Sequence, residues 1–351
     1  MLYLVLTDNF ICKKGVASEM DKILHQMLRQ SLLEYGWLKS ECSLGIDEAK
    51  TVIDSLRSSG IEISETPSGF VLKEGQELSP DLIRRVALCA FEERIKDGSV
   101  NGAKLADIPI FALDSTDSTN LDARRYAEEH PEIACALFVA DSQTAGRGRL
   151  GRSFLSQGGV GLYFSLLLRG VGEAVNALSL TTFSAVALCR AISKVADVEP
   201  KIKWVNDVYL GEKKLAGILT EGKLSSDGSG KLDYAIIGIG VNVGRQDFGE
   251  LSSVATDIES ECGYRPNRAS LAGELLAELV LNLDLAGTRE TEEEYISRSM
   301  LLNRRVRVIE PACEYPATVL GIAEGCTLRV RLDTAEEKIL CTGEVSLKLE
   351  G

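Results

Sequence analysis

The period at which apolar side chains recur changes twice along this chain, and that limits the folds open to it more than any single motif. Over residues 16–33 the apolar positions Met20, Ile23, Leu24, Met27, Leu28 and Leu32 have helical spacing. A short helix fits 37–43. A third fits 46–59, with Ile46, Ala49, Val52, Ile53 and Leu56 on one face and Gly60 as its stop. I-E-I-S-E-T and G-F-V-L then flank Pro67-Ser68-Gly69 and read as a hairpin. Three helices followed by a hairpin is the order of a winged helix-turn-helix, with G-F-V-L as the wing.

From Ser79-Pro80 a helix runs to about Lys96, and D-G-S-V-N-G (97–102) reads as a loop. Continuous apolar runs then replace the helical period. A-L-F-V-A (136–140), L-Y-F-S-L-L-L (162–168), K-I-K-W-V (201–205), L-A-G-I-L-T (215–220) and Y-A-I-I-G-I-G-V-N-V (234–243) read as strands, and 176–196 as a long apolar helix. The turn S-S-D-G-S-G (225–230) makes the last two strands antiparallel neighbours. A helix over 268–286 has Asn267 as its N-cap. After about residue 300 five short strand patterns follow, R-V-R-V-I, A-T-V-L-G, L-R-V-R-L, K-I-L-C and V-S-L-K-L, which suggest a small barrel. The expected division is 1–78, 79–299 and 300–351, since 351 residues exceed one core.

Composition removes several function classes. No apolar run is read as membrane-spanning, because M-L-Y-L-V-L breaks at Thr7-Asp8-Asn9, and it lacks a basic segment of a secretory signal. A net charge of −13 rules out general nucleic-acid affinity. Nine cysteines (Cys12, Cys42, Cys89, Cys135, Cys189, Cys262, Cys313, Cys326, Cys341) are odd in number and contain no C-x-x-C, which reads as reduced thiols of a cytoplasmic protein. The only histidines, His25 and His130, lie in a helical pattern and in the acidic stretch A-E-E-H-P-E. A Ser-His-Asp triad or a multi-histidine metal site is hard to build from them, so lysine, arginine and carboxylates must carry any chemistry.

T-A-G-R-G-R-L-G-R-S-F (144–154) combines both needs of an anion site, bare backbone and fixed positive charge. Gly146, Gly148 and Gly151 also spell G-x-G-x-x-G, the dinucleotide fingerprint. That fingerprint follows its strand directly and opens a helix. Here Asp141–Ala145 intervene, F-L-S-Q-G-G-V-G-L-Y-F follows without a helix, and Glu173, near the place of a ribose-binding acid, sits in a polar turn. Arg147, Arg149 and Arg152 instead offer planar forks for phosphate or carboxylate. They repel one another without an anion, so the loop is expected to be mobile alone and to order on a polyanion such as a nucleoside triphosphate.

Five segments occur in order: D-S-T-N (117–120), Q-T-A-G-R-G-R-L-G-R (143–152), K-W-V-N-D-V-Y-L (203–210), K-L-A-G-I-L-T-E (214–221) and G-I-G-V-N-V (238–243). Together they resemble the biotin protein ligases over about 111–245. G-E-V-S-L-K (343–348) resembles the last strand of that family's C-terminal SH3-like barrel, and the N-terminal region resembles the larger members, which also repress the biotin operon. The resemblance implies an α+β chain with a winged helix-turn-helix, a central mixed sheet flanked by helices, and the barrel. It implies activation of biotin by ATP and Mg2+ to biotinyl-5'-AMP, then transfer to a lysine of a biotin carboxyl carrier protein.

Roles follow by position. Ser118, Thr119, Asn120 and Gln143 would bind biotin and its ureido ring, with Gly146, Arg147, Gly217, Gly238 and Gly240 giving it backbone and space. Lys214 would sit between the biotin carboxylate and the α-phosphate. Arg149, Arg152, Phe154, Lys203, Asn206 and Asn242 would hold ATP, with Arg149 retaining the intermediate. Asp207 would support magnesium or the lysine. Lys214, Arg149, Arg147 and Asp207 form the implied catalytic set. A homodimer is a family-based expectation. The chain departs from the family at Val205 (commonly Pro), Phe154 (commonly Trp), Ser153 (commonly basic) and Leu150 (often Arg). None removes a charge assigned to catalysis.

The chemistry suits these residue types on its own terms. A carboxylate is ionised at neutral pH and needs no general base to attack phosphorus. It needs fixed positive charge where negative charge gathers. The helix order allows DNA binding, and the charge argues against it: residues 1–80 hold 8 Lys/Arg against 12 Asp/Glu, and the expected recognition helix opens with Asp47-Glu48. The competing readings are a lipoate-type ligase, a biotin-sensing DNA-binding regulator and a non-catalytic biotin- or nucleotide-binding module.

Overall fold

The computed structural model describes residues 22–24, 26–29, 32–73, 75–95, 103–172, 175–226, 231–310, 313–341 and 344–346. The M-L-Y-L-V-L start, Cys12, Met20, His25, the 97–102 loop, Glu173, residues 227–230 of the expected turn and residues 343 and 347–348 lie outside that set. The chain forms two compact units, one holding the described residues up to Ala112 with Pro266–Ala277, the other Leu113–Arg265 and the chain from Glu278 onward.

In the first unit, β1 (Leu32–Glu34), α1 (Tyr35–Glu41), α2 (Ile46–Ser58), β2 (Ile63–Thr66) and β3 (Gly69–Leu72) follow in order. The helical spacing expected over 16–33 fails at Leu32 and Leu33, which belong to the strand Leu32–Glu34 pairing antiparallel with β3. The hairpin β2–β3 leaves one edge of β3 open, and pairing it outweighs helix propensity over three residues while burying Leu33 completely. Helix α2 buries Ala49, Val52, Ile53 and Leu56 of the stripe read from the sequence, whereas Ile46, at the first turn, is exposed. Gly60 follows it at φ +87°. Helix α3 (Pro80–Ile95) buries Leu82, Ile83, Val86, Ala87, Cys89 and Ala90, and α4 (Ala103–Ala106) follows. Arg84 donates from α3 to the carbonyls of Ala106 and Ile108 at 2.7 and 2.9 Å.

The second unit is built on a seven-stranded sheet. It uses β4 (Ile110–Thr116), β5 (Cys135–Gln143), β6 (Gly161–Leu168), β7 (Lys201–Lys203), β8 (Asp207–Leu210), β9 (Lys213–Leu224) and β10 (Leu232–Asn242), in spatial order β4-β5-β6-β10-β9-β8-β7. β9 and β10 pair antiparallel, as the turn between them requires. All eight residues of the apolar run β6 are buried, which marks it as a strand covered on both faces. Its serine, Ser165, is wholly buried.

Helix α5 (Thr119–Glu129) packs on β5, β6 and β10, and α6 (Ala177–Ala196) packs on β9. By length and composition alone α6 could cross a membrane, contrary to the reading that no apolar run reaches that length. In the fold its apolar side chains are core, among them Leu180, Phe183, Leu188 and Ile192, each at most 2 % exposed. A short helix α7 (Ile258–Cys262) precedes α8 (Arg268–Leu281), whose start is capped by Asn267 through bonds to the backbone N–H of Ala269 and Ser270. Helix α9 (Arg289–Arg298) lies on α6. There Glu294 accepts from Arg190 at 2.5 Å and from Arg298 at 2.9 Å.

The five C-terminal strands are β11 (Arg305–Glu310), β12 (Cys313–Ala323), β13 (Thr327–Leu332), β14 (Glu337–Leu340) and β15 (Glu344–Ser346). They form an antiparallel sheet in the order β14-β13-β12-β11-β15. The architecture is thus α+β, with a central mixed sheet and a separate C-terminal antiparallel sheet.

Candidate active site

A cleft with a cavity volume of about 130 Å³ opens over the seven-stranded sheet. The start of α5, the glycine–arginine loop, the β7–β8 turn, and the middles of β9 and β10 converge on it. Five cations line it, Arg147, Arg149, Arg152, Lys203 and Lys214, against one carboxylate, Asp207. In a chain of net charge −13 this is a local reversal of sign, the mark of an anion site.

The glycine–arginine loop is not a phosphate loop leading into an α-helix. It folds back as a hairpin around a single 3-10 turn, Arg149–Gly151. Gly148 N–H donates to the Arg152 carbonyl at 2.7 Å, and Phe154 N–H to the Gly146 carbonyl at 2.9 Å. Gly146 serves this hairpin: a Cβ there would come within 2.5 Å of the Phe154 carbonyl oxygen. Gly146 does not line the cleft. Arg149 reaches across to Asn206, donating to Oδ1 at 3.1 Å. Asn206 is itself fixed on β9, its Nδ2 donating to the Ile218 carbonyl at 2.8 Å.

Lys214 and Asp207 form the centre of the charged wall. Lys214 Nζ stands 2.6 Å from Asp207 Oδ1. Gly217 lies opposite Asp207 in the β8–β9 ladder, and a Cβ there would meet Lys214 Nζ at 3.3 Å. The glycine therefore makes room for the lysine to fold back over its own strand. The Lys214 backbone is pinned on its other side by bonds to Val254 and Thr256. Lys203 lies over the Tyr209 ring, 5.5 Å from its centre.

The opposite wall is polar and mostly uncharged. Ser118 is at the N-cap position of α5, yet its side chain makes no capping bond. Asp117 caps the turn instead, accepting from Ser118 N–H at 2.7 Å. A hydrogen bond from Arg125 holds the Asp117 carboxyl below the usual carboxylate range, against a smaller desolvation effect. Thr119 N–H donates to Gln143 Oε1 at 2.9 Å, and Gln143 Nε2 to Ser156 Oγ at 3.0 Å. Ser165 Oγ lies 2.7 Å from Thr119 Oγ1 and 2.6 Å from Asn120 Oδ1. Asn120 Nδ2 donates to Glu221 Oε2 at 2.9 Å. Glu221 also pairs with Arg124 at 2.7 Å and stands 3.8 Å from Arg147.

Gly238 and Gly240 make space, though for protein groups. A Cβ on Gly238 would lie 2.7 Å from Asn120 Cγ, and one on Gly240 2.5 Å from Phe154 Cε1. Asn242 is buried at the end of β10, opposite Gly161, and donates to the Thr256 carbonyl at 2.9 Å; it does not line the cleft. The other residues singled out from the sequence, Ser118, Thr119, Asn120, Gln143, Arg147, Arg149, Arg152, Phe154, Lys203, Asn206, Asp207, Lys214, Gly217, Gly238 and Gly240, do line it.

Sequence reasoning missed Trp204, Tyr163, Ser165 and Glu221. Trp204 lines the cleft and is 3 % exposed, with Nε1 donating to the Cys326 carbonyl at 2.9 Å. Cys326 belongs to the turn before β13, held from the other side by Glu292 accepting from Gly325 N–H at 2.8 Å. The lone serine in the apolar run of β6 was the one available signal for Ser165.

Residues 111–242 match the biotin/lipoate A/B protein ligase family. The chain is 30% identical over 309 residues to the bifunctional ligase/repressor BirA of Escherichia coli, covering 84% of this chain and 87% of that protein. It is 41% identical over 143 residues to the protein of the same name from Bacillus subtilis, covering 40% of this chain and 43% of that relative's length. Among solved structures, the biotin protein ligase from Aquifex aeolicus in complex with biotin and ATP is similar at 30% identity and a TM-score of 0.57, over 68% of this chain and 97% of that one.

Proposed function

The chain belongs to the biotin/lipoate A/B protein ligase family, and on that premise we propose that it is a biotin protein ligase that activates biotin with ATP and passes it to a lysine of a biotin carboxyl carrier protein. The observation that carries this reading is the joining of two walls in one cleft, a polar wall of Ser118, Thr119 and Gln143 and a cationic wall of Lys214, Arg147 and Arg149.

In the first step the acid's carboxylate attacks the α-phosphorus of ATP. An O–P bond forms, the bond to the bridging oxygen breaks, and pyrophosphate leaves. The carboxylate is already ionised, so no base is needed. Lys214 and the arginines offset the charge of two anions brought together. Asp207 holds the lysine in place. In the second step the acceptor lysine, as the free amine, attacks the acyl carbon; the amide forms and AMP leaves. A hydrolysable adenylate needs exclusion of water, for which the hairpin loop over the cleft is suited.

We take magnesium to arrive with the triphosphate. Asp207 is the one carboxylate lining the cleft, and one of its oxygens already accepts from Lys214. Magnesium commonly binds through one or two carboxylates and the phosphates themselves. We assign the first unit to the winged-helix type and the C-terminal sheet to the SH3-like type, and expect a cytoplasmic homodimer. We do not extend a repressor role to this chain. Helix α2 opens with Asp47 and Glu48, and both its cations are paired, Lys50 with Glu65 at 3.0 Å and Arg57 with Asp54 at 2.8 Å. Such a helix would neutralise few phosphates.

The test is pyrophosphate release with ATP and magnesium when biotin, lipoate or octanoate is offered. Biotin-dependent release is expected. Release with lipoate alone would correct the substrate, and none with any acid would remove the enzyme reading.

A further inference from the structure

The β7–β8 turn and its flanks bring Lys203, Trp204, Asn206 and Asp207 to the cleft. Both peptide planes that flank Asn206 are pinned. The Asn206 carbonyl accepts from Ile218 N–H on β9 at 2.9 Å. On the other side, the Val205 carbonyl accepts from the Tyr295 hydroxyl of α9 at 3.0 Å. With both planes held, the Asn206 side chain has one direction, and its amide meets the Ile218 carbonyl and the Arg149 guanidinium. Asp207, the next residue, holds Lys214.

Tyr295 touches none of the reacting groups. It is wholly buried and does not line the cleft. Burial keeps its hydroxyl well above the ordinary tyrosine range, so it stays protonated and serves as a fixed donor. One helical turn earlier, Glu292 accepts from Gly325 N–H, and Cys326, the next residue, gives its carbonyl to the Trp204 indole. The chain leaving α9 adds a third attachment, Met300 N–H to the Ile202 carbonyl at 3.0 Å. The strand and turn are thus gripped from the α9 side at residues 202, 204 and 205, just ahead of Asn206.

We propose that Tyr295 is a positioning residue of the ligase reaction: by holding the Val205 carbonyl it aims Asn206 at Arg149 and so keeps the acyl-adenylate in the cleft, with Glu292 as a second attachment through residues 325–326. This rests on the ligase reading above and deepens it. A buried carbonyl that loses its donor must turn to find another, and the peptide plane leading into Asn206 turns with it. A small displacement of a group that holds a reacting partner has a large effect on that partner.

The experiment uses the full chain. Adenylate is formed in place from biotin, ATP and magnesium, and its release is read by trapping with a free amine in excess. Tyr295→Phe keeps the ring and removes only the O–H. It should release adenylate about fivefold faster, the effect of one lost hydrogen bond, with KM for biotin unchanged. Asn206→Ala should itself speed release, and adding Tyr295→Phe to it should change nothing further, because the contact being served is already gone. Tyr264→Phe removes a tyrosine bond to the buried Val195 carbonyl, away from the cleft, and should leave release at the wild-type rate. Glu292→Ala, at an exposed contact, should also speed release and covers the case in which Tyr295→Phe does not fold. A merely structural role would lower Tm without changing release per folded molecule, or would multiply with the effect of Asn206→Ala. Either result in folded Tyr295→Phe, or unchanged release in Glu292→Ala should Tyr295→Phe not fold, would overturn the proposal while biotin-dependent pyrophosphate release kept the ligase reading. No pyrophosphate release from wild type with any acid would instead remove the ligase reading itself.

Discussion

Lys214 Nζ and Asp207 Oδ1 stand 2.6 Å apart, on adjacent strands, over a glycine that leaves the lysine its path. The pair holds a cation at the meeting point of the two walls. Lys214→Ala should lower the rate of adenylation by about 10²–10³-fold, the range seen when one fixed stabilising group is lost. Thermal stability should hardly change, because the side chain is 35% exposed. Single-turnover pyrophosphate release beside a melting curve checks both. An unchanged rate would remove the lysine from the mechanism.

Arg149 spans the cleft to Asn206 and so ties the glycine–arginine hairpin to the β7–β8 turn. Arg149→Gly should adenylate within a few fold of wild type yet release the adenylate about tenfold faster, since one charge-assisted contact of this kind contributes about 1.5 kcal/mol or more. Trapping released acyl-adenylate with a free amine in excess would read this directly. Retention equal to wild type would mean that the hairpin closes without it.

The two glycines of β10 should separate by substrate. Gly238→Ala pushes on the Asn120 amide, which is held on both sides, and should raise KM for biotin well above that for ATP. Gly240→Ala pushes on the outer edge of the Phe154 ring, 2.5 Å from the new Cβ, and should act mainly on KM for ATP. Steady-state kinetics with each substrate varied decides it, and an equal effect on both would show a general loss of packing.

Acid should loosen the contact of α9 with α6. Burial would raise the Glu294 pKa, but the hydrogen bonds from Arg190 and Arg298 outweigh it and hold the carboxyl below its ordinary value. A carboxyl depressed in the folded state contributes stability that is intact above its unfolded pKa, about 4.3, and is lost as pH falls through the folded value. The Tm difference between wild type and Glu294→Gln should therefore be largest near neutrality and shrink below about pH 4. A difference independent of pH would assign the effect to packing.

Thiol labelling of the native chain should follow burial. Desolvation pushes Cys135 and Cys189 up to about 12 and Cys326 up to about 11, whereas Cys313 and Cys341 are exposed. Alkylation at pH 8 should reach Cys313 and Cys341 first and leave Cys135 and Cys189 unmodified until the chain unfolds. Early loss of Cys189 would place α6 outside the core.

What was legible in the sequence was whatever depends on neighbours near in the chain. Five of the seven strands of the central sheet, α2 with its Gly60 stop, and the Asn267 cap are set by local period and chemistry, whereas the strands Ile110–Thr116 and Asp207–Leu210 were not read from the sequence. The charged residues of the cleft could be named because arginine, lysine and glycine crowd together only where an anion approaches. Position along a motif did not disclose direction. Asn242 ends a glycine-rich strand, yet the twist and register of β10 turn its amide to Thr256. Gly238 and Gly240 look like room for a ligand, and their space is filled by Asn120 and Phe154. Glu221 closes the segment K-L-A-G-I-L-T-E without a role of its own, and only the folded sheet brings Asn120, 101 residues away in sequence, against it. Leu32 and Leu33 were read into the helix before them because their partner strand lies beyond the next two helices.

Trp204 rests its indole N–H on a carbonyl 122 residues further along the chain. Every other side chain of the cleft has left the ribosome before that support exists. A nascent chain halted ahead of residue 326 would carry the full set of reacting groups with the Trp204 indole N–H still lacking that carbonyl.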